Sequence, residues 1–484
     1  MTILRKLVLA VAMVFPVMVF ADAALAVGPE PRVVRDREKE SLKLLEELQE
    51  PEGEEAKVAE PEKENLLFKL GRNIQGALRL RGQQFIRHPD TTGIPLMDRE
   101  NTFGEARLDL STWTGTKAWR IGAAGWVEGG NQTATYEGVT HFLQDRGRER
   151  RYAELNEIYA LVSVSDFDFT VGKTLLKNGI ATIYSPADRY TPKDFNDPLD
   201  SKELGLWQLR MDYGWESYAV TAALLPVYGR SKEPHDNSRW LANSSAFDFP
   251  GQFVDPTSIS VRTDVPGLDA DNISYFTRLK GTVSGWDFFL APYYGTSAAL
   301  VQRQGQQPNV IIKYVPKVTN LTAGFATVFK KWQFHGEGLY NYTHDGEDDD
   351  YVTGVLGFTY KLESFPEWLP VDWIEATLEY AAEKIVDKMD AEGFINSSRD
   401  ARLGNNNLLF GTLVKINEKL SFQVNGANQF GRSDLVLHVE GKYRIVEDVH
   451  FTLGYDEFLG QDTDTFYGRW AKNDRLTAIL EYVF

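Results

Sequence analysis

Charged residues recur two apart along several stretches of this chain, a spacing that places them on one face of an extended strand. Arg79 and Arg81, Arg210 and Asp212, Arg278 and Lys280, Glu375 and Glu379, and His438, Glu440, Lys442 and Arg444 are the clearest sets. Arg107, Asp109, His335, Glu337, His450 and Glu481 extend the same pattern. Fixed charges along a watered face orient and select polar solutes, whereas opposite charges across neighbouring strands simply pair and stiffen the wall. Catalysis is not expected. The seven His (His88, His141, His235, His335, His344, His438, His450) belong to no His-Glu-x-x-His motif, and there is no Gly-x-Ser-x-Gly elbow or phosphate loop. With no Cys, thiolate metal sites, disulfides and a Cys nucleophile are excluded. No metal site and no cofactor are expected. The acidic run Asp345 to Asp350 lacks the spacing of a calcium loop and reads as a solvated hairpin tip.

The elements that carry these charges are strands. From about Gly71 onward apolar and polar residues alternate, as in Leu78 and Leu80 against Arg79 and Arg81. Trp207, Leu209, Met211 and Tyr213 alternate with Gln208, Arg210 and Asp212, and Ile374, Ala376, Leu378 and Tyr380 with Glu375, Thr377 and Glu379. Connections alternate in length. Short turns fall near Thr114 to Thr116, Ser165 to Asp168, Tyr213 to Trp215, Ser284 and Gly285, Lys330 and Lys331, Asn417 and Glu418, and Ile445 to Asp448. Long polar stretches lie between them, at Asn131 to Arg150, Asn178 to Lys202, Tyr228 to Asp271 and Lys384 to Asn406. The pattern predicts about 18 antiparallel strands, an even number that returns both ends of the sheet to the short-turn side.

The last strand, Leu476 to Phe484, has Leu476, Ala478, Leu480, Tyr482 and Phe484 on one face. Ending on an aromatic carboxyl terminus, it resembles the closing strand of Gram-negative outer-membrane β-barrels, where such a tail is an assembly signal; Tyr482 and Phe484 would carry it here. Arg5 and Lys6, the apolar run Leu7 to Phe20 and Ala24-Leu25-Ala26 read as an export signal over residues 1–26. A charged periplasmic segment is expected over 27–65 and the barrel over 66–484. No later stretch is long and apolar enough for a spanning helix, so an exported membrane chain must close its strands into a barrel. The fold class expected is all-β, a transmembrane antiparallel β-barrel with short periplasmic turns and long extracellular loops. The 12% aromatic content, from 28 Phe, 21 Tyr and 11 Trp, agrees. A net charge of −17 argues against a nucleic-acid partner.

One long connection stands out. It follows Phe169-Thr170-Val171-Gly172-Lys173 and contains Asp188-Arg189-Tyr190-Thr191-Pro192-Lys193-Asp194. The prolines and short acidic side chains favour a fixed, turn-rich conformation. The segment resembles one in outer-membrane barrels of the porin-like and alginate-export-like kind, in which a Val-Gly-Lys/Arg strand end precedes an Asp-x-x-x-Pro-x-Asp loop. Tyr184 and Ser185 depart from the Trp-Gly type pair of that group. The resemblance implies a loop folded inward as a constriction through Asp188, Arg189, Tyr190, Pro192 and Asp194. An extracellular loop outside the pore is the alternative. In the loop Tyr228 to Asp271, Trp240, Phe247, Phe249 and Phe253 suit packing over the barrel mouth, with a carbohydrate-stacking surface as the alternative.

If the ends of the sheet meet, Lys442 and Arg444 approach Arg79, Arg81 and Arg107 as a basic wall, with Glu375 and Glu379 an acidic wall elsewhere. The expectation is a porin-like channel passing polar solutes passively, anionic ones among the candidates. The alternatives are an export conduit for an acidic exopolysaccharide and a non-conducting structural or adhesive barrel. Expected partners are outer-membrane lipid and lipopolysaccharide, the barrel-assembly machinery, and a small polar solute or polysaccharide, with oligomerisation left open.

Overall fold

The computed structural model describes residues 71, 73–88, 100–235, 238–240, 260–307, 310–366, 368–388, 406–430, 434–460 and 467–484. The expected signal peptide, the charged segment 27–65 and the loop aromatics Phe247, Phe249 and Phe253 lie outside the described residues.

Eighteen strands form one antiparallel sheet. They are β1 (Gln75–Phe85), β2 (Thr102–Gly115), β3 (Trp119–Gly130), β4 (Ala153–Val164), β5 (Phe167–Thr174) and β6 (Leu206–Trp215). Then come β7 (Tyr218–Leu225), β8 (Ser274–Val283), β9 (Trp286–Thr296), β10 (Lys317–Phe329), β11 (Trp332–Thr343) and β12 (Asp350–Leu362). The last are β13 (Trp373–Asp387), β14 (Asn407–Lys415), β15 (Leu420–Gln429), β16 (Asp434–Val446), β17 (Val449–Gly460) and β18 (Arg475–Val483). Each pairs with its successor in sequence, and β18 closes onto β1 with Val483 opposite Ala77 and Arg475 opposite Phe85. A closed ring leaves no strand edge, so every ladder hydrogen bond has a partner without water. The alternation read from sequence is the alternation of the wall. Leu78, Leu80, Val171, Leu209, Leu356, Leu453 and Leu480 all point outward and are exposed, while their polar neighbours point in.

Strand ends follow the expected asymmetry. Two-residue turns at 165–166, 216–217 and 284–285 put Ser165, Glu216 and Ser284 in the left-handed φ region at 56°, 48° and 50°. Trp215 therefore belongs to its strand rather than to a turn, and β13 runs to Asp387, past the expected loop start at Lys384. Ring ladders mark both ends of the outer wall. Toward the short turns, Phe167, Tyr213, Trp215 and Tyr218 stack in series with centroids 4.5, 5.5 and 5.6 Å apart. Toward the long connections lie Tyr275 with Tyr294 and Tyr380 with Phe430, at 6.3 and 6.0 Å. Such belts sit where apolar rings meet polar headgroups.

The buried apolar residues lie inside the ring. One cluster joins Leu176, Ala187 and Tyr190 of the long β5 to β6 connection to Ala223, Phe276, Phe289 and Tyr293 of the wall. A second gathers Phe85, Phe103, Phe458 and Tyr467 around Trp240. The acidic run departs from expectation: Asp349 is fully buried and Asp350 accepts a hydrogen bond from the Thr343 amide at 2.7 Å. The carboxylates there terminate β11 and start β12 instead of only facing water.

Candidate functional site: the barrel lumen and its inward loop

The β5 to β6 connection crosses the lumen. It leaves β5 after Thr174; within the strand end, Gly172 has a φ of 137° that favours glycine, and a Cβ there would strike the Ile158 carbonyl on β4. Asp188, in a single 3-10 turn at Pro186–Asp188, folds the loop back on itself by accepting from the Asn178 and Gly179 amides at 2.6 and 3.1 Å. Asn178 Nδ2 donates to Thr322 Oγ1 of β10 at 3.0 Å. Five consecutive loop amides then meet two carboxylates of the far wall. Ile180 and Ala181 donate to Glu337 Oε1 on β11. Thr182 and Ile183 donate to Glu379 Oε1 at 2.8 and 2.9 Å, and Tyr184 to Glu379 Oε2 at 2.9 Å. Glu337 Oε2 also accepts from Ser185 Oγ at 2.8 Å. Glu379 is on β13, eight strands from β5 in a ring of eighteen, so the loop spans the barrel.

The loop tip and the returning leg are pinned as well. Arg189 pairs with Glu383 at 3.2 Å and lies over the Tyr351 ring at 4.8 Å. Tyr190 stacks on Tyr293 with centroids 5.2 Å apart, and the Pro192 carbonyl accepts the Leu204 amide at 2.9 Å. Asp194 accepts from Arg150 Nε at 2.6 Å. Asp197 takes both outer nitrogens of Arg475 on β18, at 2.6 and 3.2 Å. Burial alone would raise both carboxyls, but Arg150 beside Asp194, and Arg475 and Arg81 beside Asp197, hold them below the ordinary carboxylate range. Burial lowers the Lys202 ammonium, against the pull of Asp200. All five residues expected to form the constriction are therefore inside the ring, four of them in direct contact with wall or loop partners through their side chains.

Arg79 and Arg81 lie on β1, Arg107 on the adjoining β2, and Lys442 and Arg444 on β16, separated from β1 by β17 and β18, with carboxylates between them. Arg79 bonds Glu481 at 2.9 Å, and Lys442 approaches the same carboxylate at 3.6 Å. Arg81 is held by Glu105 and Asp200 at 2.8 and 2.7 Å, and Arg107 by Asp109 and Glu128 at 2.7 and 3.1 Å. Arg444 reaches Glu418 at 3.3 Å near the short-turn end. Glu375 points inward one step of alternation from Thr377, which bonds its direct partner Thr359 on β12 at 2.8 Å. Glu379 is wholly buried under the loop, so it is a loop anchor rather than an open acidic surface. Tyr482 and Phe484 face outward and stack at 5.8 Å, and the Phe484 amide and carbonyl both bond Gly76 at 2.9 Å.

A second segment enters the ring between β7 and β8. Arg239 lies 3.6 Å over the Phe85 ring and donates to the carbonyls of Glu100 and Arg87 at 3.2 and 2.9 Å. Trp240 beside it packs against Phe85, Phe458 and Trp470 at 6.0, 5.9 and 6.3 Å. Sequence reasoning placed Trp240 at the mouth and did not single out Arg150, Asp197, Arg239 or Arg475. Their only signal was a charge in a chain rich in charges, and their partners lie 44, 278, 234 and 278 residues away. Glu337 was placed on the inward face, without its loop contacts.

A closed ring of strands with an apolar outer face, whose lumen is crossed by one of its own long connections, defines a transmembrane β-barrel. Among solved structures the chain is similar to OccK11 (OpdR) of Pseudomonas aeruginosa, at 8% identity and a TM-score of 0.46, over 85% of this chain and 95% of that one. It is also similar to a triple mutant of the Rhodopseudomonas blastica porin, at 11% identity and a TM-score of 0.38, over 85% of this chain and 99% of that one. No family model and no curated protein matches the sequence.

Proposed function

We propose that the protein is a passive outer-membrane channel for small polar solutes and not an enzyme, with the β5 to β6 loop as its constriction. The observation that carries this reading is the capture of five successive loop amides by Glu337 and Glu379 on the opposite wall. A loop tied across a lumen fixes the size of what passes, and inward charges fix its orientation. Charge selection by the wall is weak in this reading, because Arg79, Arg81 and Arg107 each have a carboxylate partner. Lys442 and Arg444 likewise face Glu481 and Glu418, so no strong anion preference is expected. Lipid covers the outer wall, lipopolysaccharide meets the long-connection end, and the barrel-assembly machinery reads Tyr482 and Phe484.

Planar-bilayer recording of the refolded chain under a salt gradient tests this. Stable open-channel steps support a solute pore. A folded, heat-modifiable barrel that never conducts favours a structural barrel, the second reading. That reading draws on the inward Arg239 and Trp240, which fill lumen beside β1 and β17.

A further inference from the structure

The β7 to β8 connection is a second strap across the lumen, tied at its root as well as at its tip. The root runs beside the returning leg of the inward loop: the Lys232 amide donates to the Lys193 carbonyl at 2.8 Å, and the Lys232 carbonyl accepts from the Phe195 amide at 2.9 Å. The buried Lys232 ammonium donates to Asp145 Oδ2 and to the Gly147 carbonyl of the β3 to β4 connection, at 2.5 and 3.1 Å. At the tip, Arg239 Nε donates to Asn473 Oδ1 at 3.0 Å, and Asn473 Nδ2 returns a bond to the Arg239 carbonyl at 2.9 Å. Trp470 Nε1 donates to the Trp240 carbonyl at 3.2 Å. The tip rests against Phe85 on β1 and Phe458 on β17, six and eight strands from β7 around the ring of eighteen.

Trp240 is buried in a cluster that takes one apolar side chain from each of six consecutive strands, from Val355 on β12 to Phe458 on β17, and adds Phe85 on β1 and Phe103 on β2. Ala181 and Tyr184 of the inward loop pack against the same cluster. On its other side the loop is seated against β7, β8 and β9 through Leu176, Ala187 and Tyr190. The space between the loop and the β12 to β2 wall is therefore lined by apolar groups, and Trp240, the largest buried side chain in it, comes from neither the wall nor the loop.

We infer that Trp240 is an apolar seal closing the lumen between the inward loop and the β12 to β2 wall, so that the β7 to β8 arm, and not the loop alone, limits conduction. The inference rests on the channel reading and deepens it by naming the residue that closes the path. An apolar constriction offers an ion or polar solute nothing in place of its hydration shell, and such constrictions shut by dewetting. The bonds at Lys232 and Arg239 hold the indole in that position from both ends of the arm.

Single-channel recording of the full, refolded barrel tests the seal, with heat modifiability as the check on folding. Trp240→Ala raises the unitary conductance several-fold, while Trp240→Phe, which keeps an aromatic ring in the gap, stays close to the parent. Arg239→Ala leaves the indole in place but removes its anchor, and raises the mean conductance through longer open bursts. A folded Trp240→Ala or Arg239→Ala barrel with the parent's conductance overturns the inference and leaves the channel standing. A silent parent beside a conducting Trp240→Ala variant upholds the seal and overturns the reading of the parent as an open channel. Silence in the parent, in both alanine variants and in a loop-deleted barrel overturns both.

Discussion

His335 Nε2 lies 2.9 Å from Glu379 Oε1, although an entire strand, β12, runs between β11 and β13. The bond passes over Gly357, which is in register with both residues. A Cβ at Gly357 would lie 2.6 Å from Glu379 Cγ and 2.7 Å from His335 Nε2. The glycine is the gap that lets the histidine orient the carboxylate, and that carboxylate in turn receives three loop amides. Gly357→Val should separate the pair and loosen the loop while leaving the outward face of β12 intact. The check is proteolysis of the folded barrel at 180–187, which is cut in the variant and protected in the parent.

Removing the anchors themselves should have a larger effect. Glu379→Ala strands three loop amides and Glu337→Ala four more donors, each worth ~1–3 kcal/mol when left buried and unpaired. Each single variant should raise open-channel noise. The double variant should raise mean single-channel conductance, as should deletion of the loop. Equal conductance in a folded double variant would show that the loop is not what narrows the path.

Acidification should spare the returning leg until low pH. Asp194 and Asp197 are held below the ordinary carboxylate range by Arg150, Arg475 and Arg81. Asp456 and Glu105 share those arginines. A carboxyl whose folded pKa is depressed contributes its full stabilisation above its unfolded pKa of ~3.9 and loses it as pH falls toward the lower folded value. Protease protection at 194–200 should therefore hold from neutral pH to about pH 4 and fail only below it. Loss of protection near neutral pH would transfer control of this leg to another group.

Selectivity can be moved at the paired arginines. Arg79→Glu places a like charge beside Glu481, and Arg107→Glu one beside Asp109 and Glu128. Either should shift the reversal potential under a salt gradient toward cations, and their combination more so. Unchanged reversal potentials in folded variants would remove these residues from the solute path.

The carboxyl-terminal aromatic should matter for assembly rather than conduction. Phe484 lies outward, pairs with Gly76 through its backbone and lays its ring over that glycine. Phe484→Ala should lower the amount of barrel assembled in cells, with the refolded variant conducting like the parent. Normal assembly would leave Phe484 as one more lipid-facing residue.

Much of the barrel is legible in sequence because its wall obeys a local rule. A period of two sorts Leu78 and Leu80 from Arg79 and Arg81 whatever the rest of the chain does, and lipid outside with water inside enforces that sorting along every strand. Connection lengths are equally local, so the strand number and the direction of the long loops could be counted. The Asp188 to Asp194 segment carried its turn chemistry on its face, but not its destination. Whether that loop lies in the lumen depends on Glu337 and Glu379, which are 157 and 197 residues from the amides they accept. The ring's closure decides that Arg81 and Arg475 come together around Asp197, and that wall arginines meet acids instead of standing free. Alternation tells which face a charge occupies; only the closed tertiary structure decides which charge it faces, because inside a barrel the nearest partner is chosen by the curvature of the sheet and not by distance along the chain.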